Sequence, residues 1–313
     1  IIQALGNSNS ELVESGSDTL GKTNVVVIPE LTQELIDSKA FDFLHHYSYS
    51  WRDEDREDDI QNGIRLGTIL GKKLKIRGES RDLIFTRQTS GKIDKKLIAE
   101  LGFDNANVFS QITTERYNKA NLHISIDASG SMSGTKLSKA ITSAVAMVKA
   151  CDMAGNINVV VSFRWTHEDK PVVIICYDSR KDKLTKITKL WKYINAGGTT
   201  PESLCYEALM KKWLGGVRGE DNYFINYSDG APWFSNGEVY YSGRSAEKHG
   251  KKMVTLMKNN GIKVSSYFIS DGGYERESER SGFKYMYGKD AIFINPTNMM
   301  EVAKSMNKKF LEK

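Results

Sequence analysis

The sequence predicts an α/β fold with a mostly parallel central sheet flanked by helices. From residue 121 onwards, apolar runs of strand length alternate with amphipathic helical segments, a pattern typical of parallel sheets covered by helices on both faces. The 313 residues are 40% hydrophobic and 27% charged, which is an ordinary globular composition. A chain of this length has room for one large domain and a smaller region.

The N-terminal part of the chain shows a different pattern. Residues 1–24 are rich in Ser, Asn, Gly and Thr, and we interpret them as a flexible polar arm. We expect residues 25–117 to form a mostly helical extension that opens with the β-branched run 25–28. Helical spacing of apolar residues predicts helices at 31–47, 64–77 and 93–101, and the acidic segment 51–59 is predicted to be a solvated connector.

Residues 118–313 contain the alternating pattern and define the predicted α/β domain. A stripe of apolar residues from Leu137 to Cys151 is typical of a helix that packs on a sheet. In such sheets, ligands bind at the carboxyl ends of the strands. Strands are predicted at 122–127, 157–163, 172–177, 223–227, 264–269 and 291–294.

Charge is unevenly distributed along the chain. The net charge is +5, but residues 1–60 contain 4 Lys and Arg against 13 Asp and Glu. The lysines of the basic remainder are dispersed along predicted helices, so we interpret them as solvated helix faces and do not expect nucleic acid to bind. No stretch has the length and composition of a membrane span or a signal peptide, so we expect no membrane partner and a cytoplasmic protein, or a virion-associated one if its source is viral.

Three polar motifs follow predicted strands. Asp127, Ser129 and Ser131 lie in the sequence DASGS after the first strand, Thr199 lies in NAGGTTPE, and Asp229 lies in SDGAP. Both aspartates stand where a strand ends, and glycines loosen all three loops. Hydroxyl and carboxylate oxygens of this kind suit Mg²⁺ or Mn²⁺ better than Zn²⁺.

In this order, the motifs DxSxS, GGT and SDG resemble the metal-ion-dependent adhesion site (MIDAS) of von Willebrand factor A (vWA) domains, which have a Rossmann-like fold. The resemblance covers roughly residues 118–313. It implies that one divalent cation, Mg²⁺ or alternatively Mn²⁺ or Ca²⁺, is held directly or through water by Asp127, Ser129, Ser131, Thr199 and Asp229. In that family, an Asp or Glu of a partner protein typically fills the open coordination position.

Within the family, the sequences DASGSMSG and SDGAP are most similar to the vWA domain of the cobaltochelatase subunit that works beside an AAA+ ATPase. The resemblance implies an accessory subunit that couples an AAA+ ATPase of the MoxR or chelatase type to a client, without catalysis by this chain alone. Two alternatives are a subunit of a cobalt- or magnesium-chelatase-like enzyme, and a structural or adhesive component of a larger, possibly viral, assembly. Trp233 and Phe234, close after Asp229, are predicted to contact the partner.

Two further motif matches are interpreted as coincidental. Residues 16–23 fit the phosphate-binding pattern GxxxxGK[ST], but a working P-loop requires a buried strand before it and a helix after it. A polar run precedes this segment and the β-branched run 25–28 follows it, so Lys22 is not expected to bind nucleotide. Residues 133–136 fit SxxK without the companion motifs of a serine hydrolase.

Overall fold

The structure is a computed structural model that describes residues 10–17, 21–41, 44, 56–78, 81–115, 117–212, 214, 219–270, 277–295 and 299–311. The helices are α1 (Gln33–Asp37), α2 (Arg56–Gly78), α3 (Thr135–Ala154), α4 (Thr185–Leu190), α5 (Glu202–Lys212), α6 (Gly243–Asn259), α7 (Glu277–Tyr287) and α8 (Met299–Leu311). The strands are β1 (Glu11–Ser17), β2 (Gly21–Ile28), β3 (Arg81–Gln88), β4 (Lys92–Ile93), β5 (Phe109–Glu115), β6 (Ala120–Asp127), β7 (Ile157–His167), β8 (Lys170–Asp178), β9 (Asp221–Ser228), β10 (Phe234–Ser235), β11 (Tyr240–Tyr241), β12 (Ile262–Ile269) and β13 (Ala291–Ile294).

Eight strands form the central sheet in the order β1-β2-β8-β7-β6-β9-β12-β13. The pairs β1/β2 and β7/β8 are antiparallel, whereas all the other neighbours are parallel. When the hairpin β1–β2 is set aside and the other six strands are renumbered 1 to 6 along the chain, their order in the sheet is 3-2-1-4-5-6. This is the strand order of doubly wound α/β folds. The predicted fold class, a Rossmann-like α/β fold, is therefore confirmed, and each of the six predicted strands lies within an observed one.

Helices cover both faces of the sheet because its central strands are apolar on both faces. Neighbouring residues of β9 illustrate this: Ile225 packs in the core beneath α2, α3 and α8, whereas Phe224 packs in the core beneath α5, α6 and α7. All three cysteines are buried free thiols within these two cores, as the sequence predicted. No helix in the described part of the chain is long and apolar enough to cross a membrane.

The prediction of a flexible polar arm at residues 1–24 is wrong for those of its residues that the structure describes. Residues 11–17 and 21–28 form the hairpin β1–β2, which extends the central sheet by pairing β2 with β8, while residues 1–9 and 18–20 lie outside the described residues. The polar composition concealed an alternation in which Val13 and Ser15 are buried. The backbone N–H of Gly16 donates to the Glu207 carboxylate of α5 at 2.9 Å, so a contact distant in sequence fixes the hairpin.

The predicted helical extension is confirmed in part. The helix at 64–77 lies within α2, whereas the helix at 31–47 is reduced to α1 among the described residues. The prediction of a helix at 93–101 is wrong. Residue 93 ends β4, an edge strand of a small antiparallel sheet of order β3-β5-β4, and residues 98–101 lie in a 3₁₀ turn. The apolar side chains of this segment, Ile93, Ile98 and Leu101, are exposed, so their spacing does not reflect a buried face.

The predicted connector at 51–59 is also only partly described. Residues 51–55 lie outside the described residues, but Arg56 already begins α2, so the prediction is wrong for 56–59. The acidic residues Glu57, Asp58 and Asp59 fall in the first turn of this helix. Negative charge is favourable there because the N-terminal end of the helix dipole is positive.

A stripe of glycines brings α2 into close contact with α3. Gly63, Gly67 and Gly71 recur every four residues and therefore lie on one side of α2. A Cβ atom added at Gly67 would lie 2.5 Å from the carbonyl oxygen of Ala146, and one at Gly63 would lie 2.8 Å from that of Thr142. Since these obstacles are backbone atoms, only glycine permits this separation of the two helices.

Substitution of Gly67 by Ala is expected to lower the free energy of unfolding by about 1 to 3 kcal/mol, despite the higher helix propensity of alanine, because the helices must move apart. Gly102→Ala is the matched control, since an added Cβ there meets no atom within 4 Å. We expect the control to stay within about 0.5 kcal/mol of the wild type in urea unfolding. Equal stability of both variants would show that α2 and α3 are not in close contact at Gly67.

Candidate metal centre

The candidate site lies where the strand order of the sheet reverses. Asp127 is the last residue of β6, and Asp229 directly follows β9, the parallel neighbour of β6. Helix α3 leaves β6 on one side of the sheet, and α5 precedes β9 on the other. The carboxyl ends of β6 and β9 thus form the crevice in which doubly wound sheets bind their ligands.

A continuous series of hydrogen bonds joins the two aspartates. Asp127 accepts the backbone N–H of Ser129 at 2.8 Å, and the hydroxyl oxygens of Ser129 and Ser131 lie 3.1 Å apart. The Ser131 hydroxyl donates to Asp229 Oδ1 at 2.7 Å. The second oxygen of Asp127 accepts the hydroxyl of Ser228 at 2.9 Å, which fixes the orientation of this carboxylate. Four of the five predicted metal ligands are therefore brought together.

The fifth predicted ligand, Thr199, lies in a loop attached to the first motif. Gly197 N–H donates to Ala128 O at 2.8 Å, and Gly130 N–H donates to Gly198 O at 3.1 Å. Thr166 of β7 accepts the backbone N–H of Thr199 at 2.7 Å, and the two threonine hydroxyls lie 2.9 Å apart. Gly198 has a φ of +64°, and a side chain there would collide with the carbonyl of Thr166, so the loop requires glycine.

Both carboxylates are poorly solvated. Asp127 is completely buried, and this burial raises its pKa, against the opposing effect of the positive charge of Arg164. Burial and the neighbouring charge of Asp127 raise the pKa of Asp229, while Lys136 and Ser131 act in the opposite direction. Ser131 and Thr199 are more accessible, so the site is open at its outer edge. A cation entering there would relieve the cost of holding two like charges in the protein interior.

The donor set fits a hard divalent cation. Two carboxylates and three hydroxyls from three loops supply oxygen ligands only, which Mg²⁺, Mn²⁺ and Ca²⁺ accept and softer metals do not prefer. The described residues contain no group of three or more His, Cys, Asp or Glu that could hold a metal. Hydroxyl oxygens would therefore provide the majority of the protein ligands at this site.

Arg164 is a buried cation next to the site that sequence reasoning missed. It lies on β7, is completely buried, and donates to Ser125 Oγ at 2.9 Å and to Asn226 Oδ1 at 2.7 Å. Its guanidinium lies 3.3 Å from Glu202 and 4.0 Å from Asp127, so it balances two buried carboxylates. The available signal was an arginine in the otherwise uncharged strand sequence INVVVSFRW.

The Glu202 carboxylate extends this network away from the candidate site. Its Oε1 atom accepts hydrogen bonds from the hydroxyls of Tyr206 and Tyr287 at 3.0 and 2.9 Å, and from the Asn226 amide at 2.7 Å. All these groups are buried. A polar network thus lies beneath the loops of the candidate site and connects them to α5 and α7.

The two predicted partner contacts differ in exposure. Trp233 is 44% exposed, and its backbone N–H donates to Thr200 O at 2.9 Å, which places it beside the Thr199 loop. Phe234 is only 1% exposed, pairs with Tyr241 in the β10–β11 hairpin and packs in the core beneath α5, α6 and α7. The prediction that Phe234 contacts a partner is therefore wrong, because the hairpin turns its ring inward.

The P-loop-like segment lies in the β1–β2 hairpin, far along the sequence from the residues of this site. The pattern runs from Gly16 in β1 to Thr23 in β2, and a strand rather than a helix follows its lysine. Lys22 forms an ion pair with Glu14 across the hairpin at 3.2 Å. The structural context that a phosphate-binding loop requires is absent from the described part of this segment.

No protein-family model and no curated protein match the sequence. Solved structures with a similar fold include the vWF domain of the type V pili tip protein Mfa5 from Porphyromonas gingivalis, with 11% identity, a TM-score of 0.49 and coverage of 62% of this chain and 95% of that domain. The pilus adhesin SpaC from Lactobacillus rhamnosus GG matches with 11% identity and a TM-score of 0.48. The match covers 64% of this chain but only 32% of the SpaC chain.

Substitution of Arg164 by Met is expected to lower the free energy of unfolding by about 3 kcal/mol or more, because Asp127 and Glu202 would lose the cation that balances their buried charges. Arg87→Met is the control, since the Arg87 side chain is 59% exposed and pairs with Glu100, itself 32% exposed, at 2.9 Å. A surface pair of this kind contributes about 1 kcal/mol or less. Urea unfolding in EDTA measures both variants, and equal losses would contradict the role assigned to Arg164.

Proposed function

We propose that this chain is a vWA-type protein-binding module that uses one divalent cation to recognise an acidic side chain of a partner protein. Asp127, Ser129, Ser131, Thr199 and Asp229 would hold the cation, with Mg²⁺ as the first choice and Mn²⁺ or Ca²⁺ as alternatives. The observation that supports this proposal is the series of hydrogen-bonded hydroxyl and carboxylate oxygens between the ends of β6 and β9.

The chemistry of the donor set favours an acidic partner. Mg²⁺ requires a nearly octahedral set of oxygen ligands, and when bound it would supply an open coordination position for an incoming carboxylate. Two carboxylates on the protein side leave a divalent ion close to neutral, so an additional negative ligand can be accommodated. Trp233, exposed beside the Thr199 loop, offers an apolar contact next to that position.

The partner that we propose is an AAA+ ATPase of the MoxR or chelatase type, with this chain as the cytoplasmic adaptor that couples it to a client. The support is the similarity of DASGSMSG and SDGAP to the vWA domain of the cobaltochelatase subunit. A role within a chelatase-like enzyme and a structural or adhesive role would use the same cation site. The identity of the captured partner distinguishes these three functions.

Substitution of Ser131 by Ala is expected to weaken Mn²⁺ or Mg²⁺ binding about tenfold, equivalent to about 1.4 kcal/mol, because a ligand that also orients Asp229 is lost. Ser133→Ala is a matched control, since Ser133 is exposed on the same loop and is not one of the proposed ligands. We expect its affinity to stay within about twofold of the wild type. Calorimetric titration measures all three proteins, and equal affinities would remove Ser131 from the ligand set.

Partner binding is expected to require both the cation and Asp127. A pull-down from the native source in MgCl₂ should recover partners that are lost in EDTA and lost with Asp127→Asn, a variant that retains an oxygen to accept the Ser129 N–H. Trp233→Ala should weaken partner capture less than Asp127→Asn does, because the aromatic ring only adds contact area whereas the cation site accepts the acidic group of the partner. Recovery of the same proteins in EDTA would exclude cation-dependent recognition, and the absence of an AAA+ ATPase from the metal-dependent set would exclude the adaptor role.

A further inference from the structure

Lys136 places a positive charge at the candidate metal centre. It is the second residue of α3, and its Nζ atom donates to Asp229 Oδ2 at 2.6 Å. The same ammonium lies 3.4 Å from the carbonyl oxygen of Ser131. The Lys136 side chain is only 19% exposed and that of Asp229 is fully buried, so solvent screens this ion pair weakly.

The carboxylate that Lys136 contacts is one of the two proposed carboxylate ligands. The Oδ1 atom of Asp229 accepts the Ser131 hydroxyl at 2.7 Å, and the Oδ2 atom accepts Lys136. Both oxygens are therefore engaged by donors from the α3 side of the site. A divalent cation cannot approach Asp229 without meeting the repulsion of an ammonium group within hydrogen-bonding distance of the same carboxylate.

We infer that Lys136 is a tethered cation that competes with the divalent metal for Asp229 and so sets the metal affinity of the site. The inference rests on the proposed function, because it concerns the same ligands. Without metal, Lys136 neutralises Asp229, and the charge of Asp127 is balanced separately by Arg164. When a divalent ion binds, Lys136 leaves Asp229 and its flexible four-carbon side chain moves the ammonium group towards solvent.

The position of Lys136 also accounts for the SxxK match at residues 133–136. The hydrogen bonds of its ammonium go to Asp229 and to the Ser131 carbonyl, so the lysine serves a carboxylate and does not activate a serine as a nucleophile. Its neighbour on the next turn of the helix, Lys139, is half-buried on the same helix and is not among the groups assigned to the site. Lys139 therefore provides a matched control for the loss of one positive charge from α3.

The test compares Mg²⁺ binding by the wild type, Lys136→Met and Lys139→Met in calorimetric titrations. Methionine retains much of the aliphatic length of lysine but removes its charge. Lys136→Met is expected to bind Mg²⁺ at least about tenfold more tightly than the wild type, whereas Lys139→Met should differ by less than about twofold, since surface charges are screened by salt and solvent.

Thermal unfolding provides a second measurement that does not depend on a binding partner. In EDTA, Lys136→Met should unfold at a lower temperature than the wild type, because the buried Asp229 carboxylate has lost the ammonium group that pairs with it. Saturating MgCl₂ should raise its melting temperature by more than it raises that of the wild type, because tighter binding to the native state stabilises it further. Lys136→Gln, which keeps a hydrogen-bond donor at this position, ensures that a neutral variant remains available if Lys136→Met does not fold.

The possible outcomes separate this inference from the proposed function. If the wild type and the Lys136 variants bind Mg²⁺ with equal affinity, the competition is disproved and the metal site stands. Weaker binding by the Lys136 variants would also overturn the inference, since it would make Lys136 a supporting residue. If only the Lys136 variants bind, the competition is supported but the wild-type module does not use Mg²⁺. If no protein binds Mg²⁺, both proposals fail.

Discussion

The burial of three carboxylates at one end of the sheet is the constraint on which the rest of the site depends. Asp127, Glu202 and Asp229 are almost inaccessible to solvent, and each would be costly to hold as an isolated charge. The chain compensates for them with hydroxyl donors and with two cationic side chains, Arg164 and Lys136. The loops, the flanking helices and the strand order all serve to bring these groups together.

The two compensating cations have different properties. Arg164 of β7 is completely buried and donates to fixed acceptors on β6 and β9, so it acts as a permanent part of the core. Lys136 approaches from the first turn of α3 at the open edge of the site, and its single ammonium can move when the side chain changes rotamer. The arrangement therefore combines one fixed positive charge in the core with a second positive charge on a flexible side chain at the open edge, and the second is the one that we propose a divalent cation replaces.

The sequence predicted the parts of the fold that are determined locally. The six core strands are apolar runs bounded by turn residues, and the positions of Asp127 and Asp229 follow from where those runs end. The β1–β2 hairpin was missed because its polar residues are ordered by partners far along the chain, such as Glu207. The inward orientation of Phe234 and the pairing of Arg164 with Glu202 likewise depend on tertiary packing that no local pattern specifies.

The boundary predicted at residue 118 separates elements that pack as one structure. The glycine face of α2 contacts α3 along several turns, and Asp59 at the start of α2 accepts the hydroxyl of Ser138 at 2.6 Å. Ser138 is two residues beyond Lys136, so α2 supports the same turn of α3 that presents the ammonium to Asp229. Since β2 also pairs with β8, residues before 118 complete both the sheet and one of its helical layers. The N-terminal region therefore helps to position the candidate metal centre, and its removal would expose the α3 surface that the glycines cover.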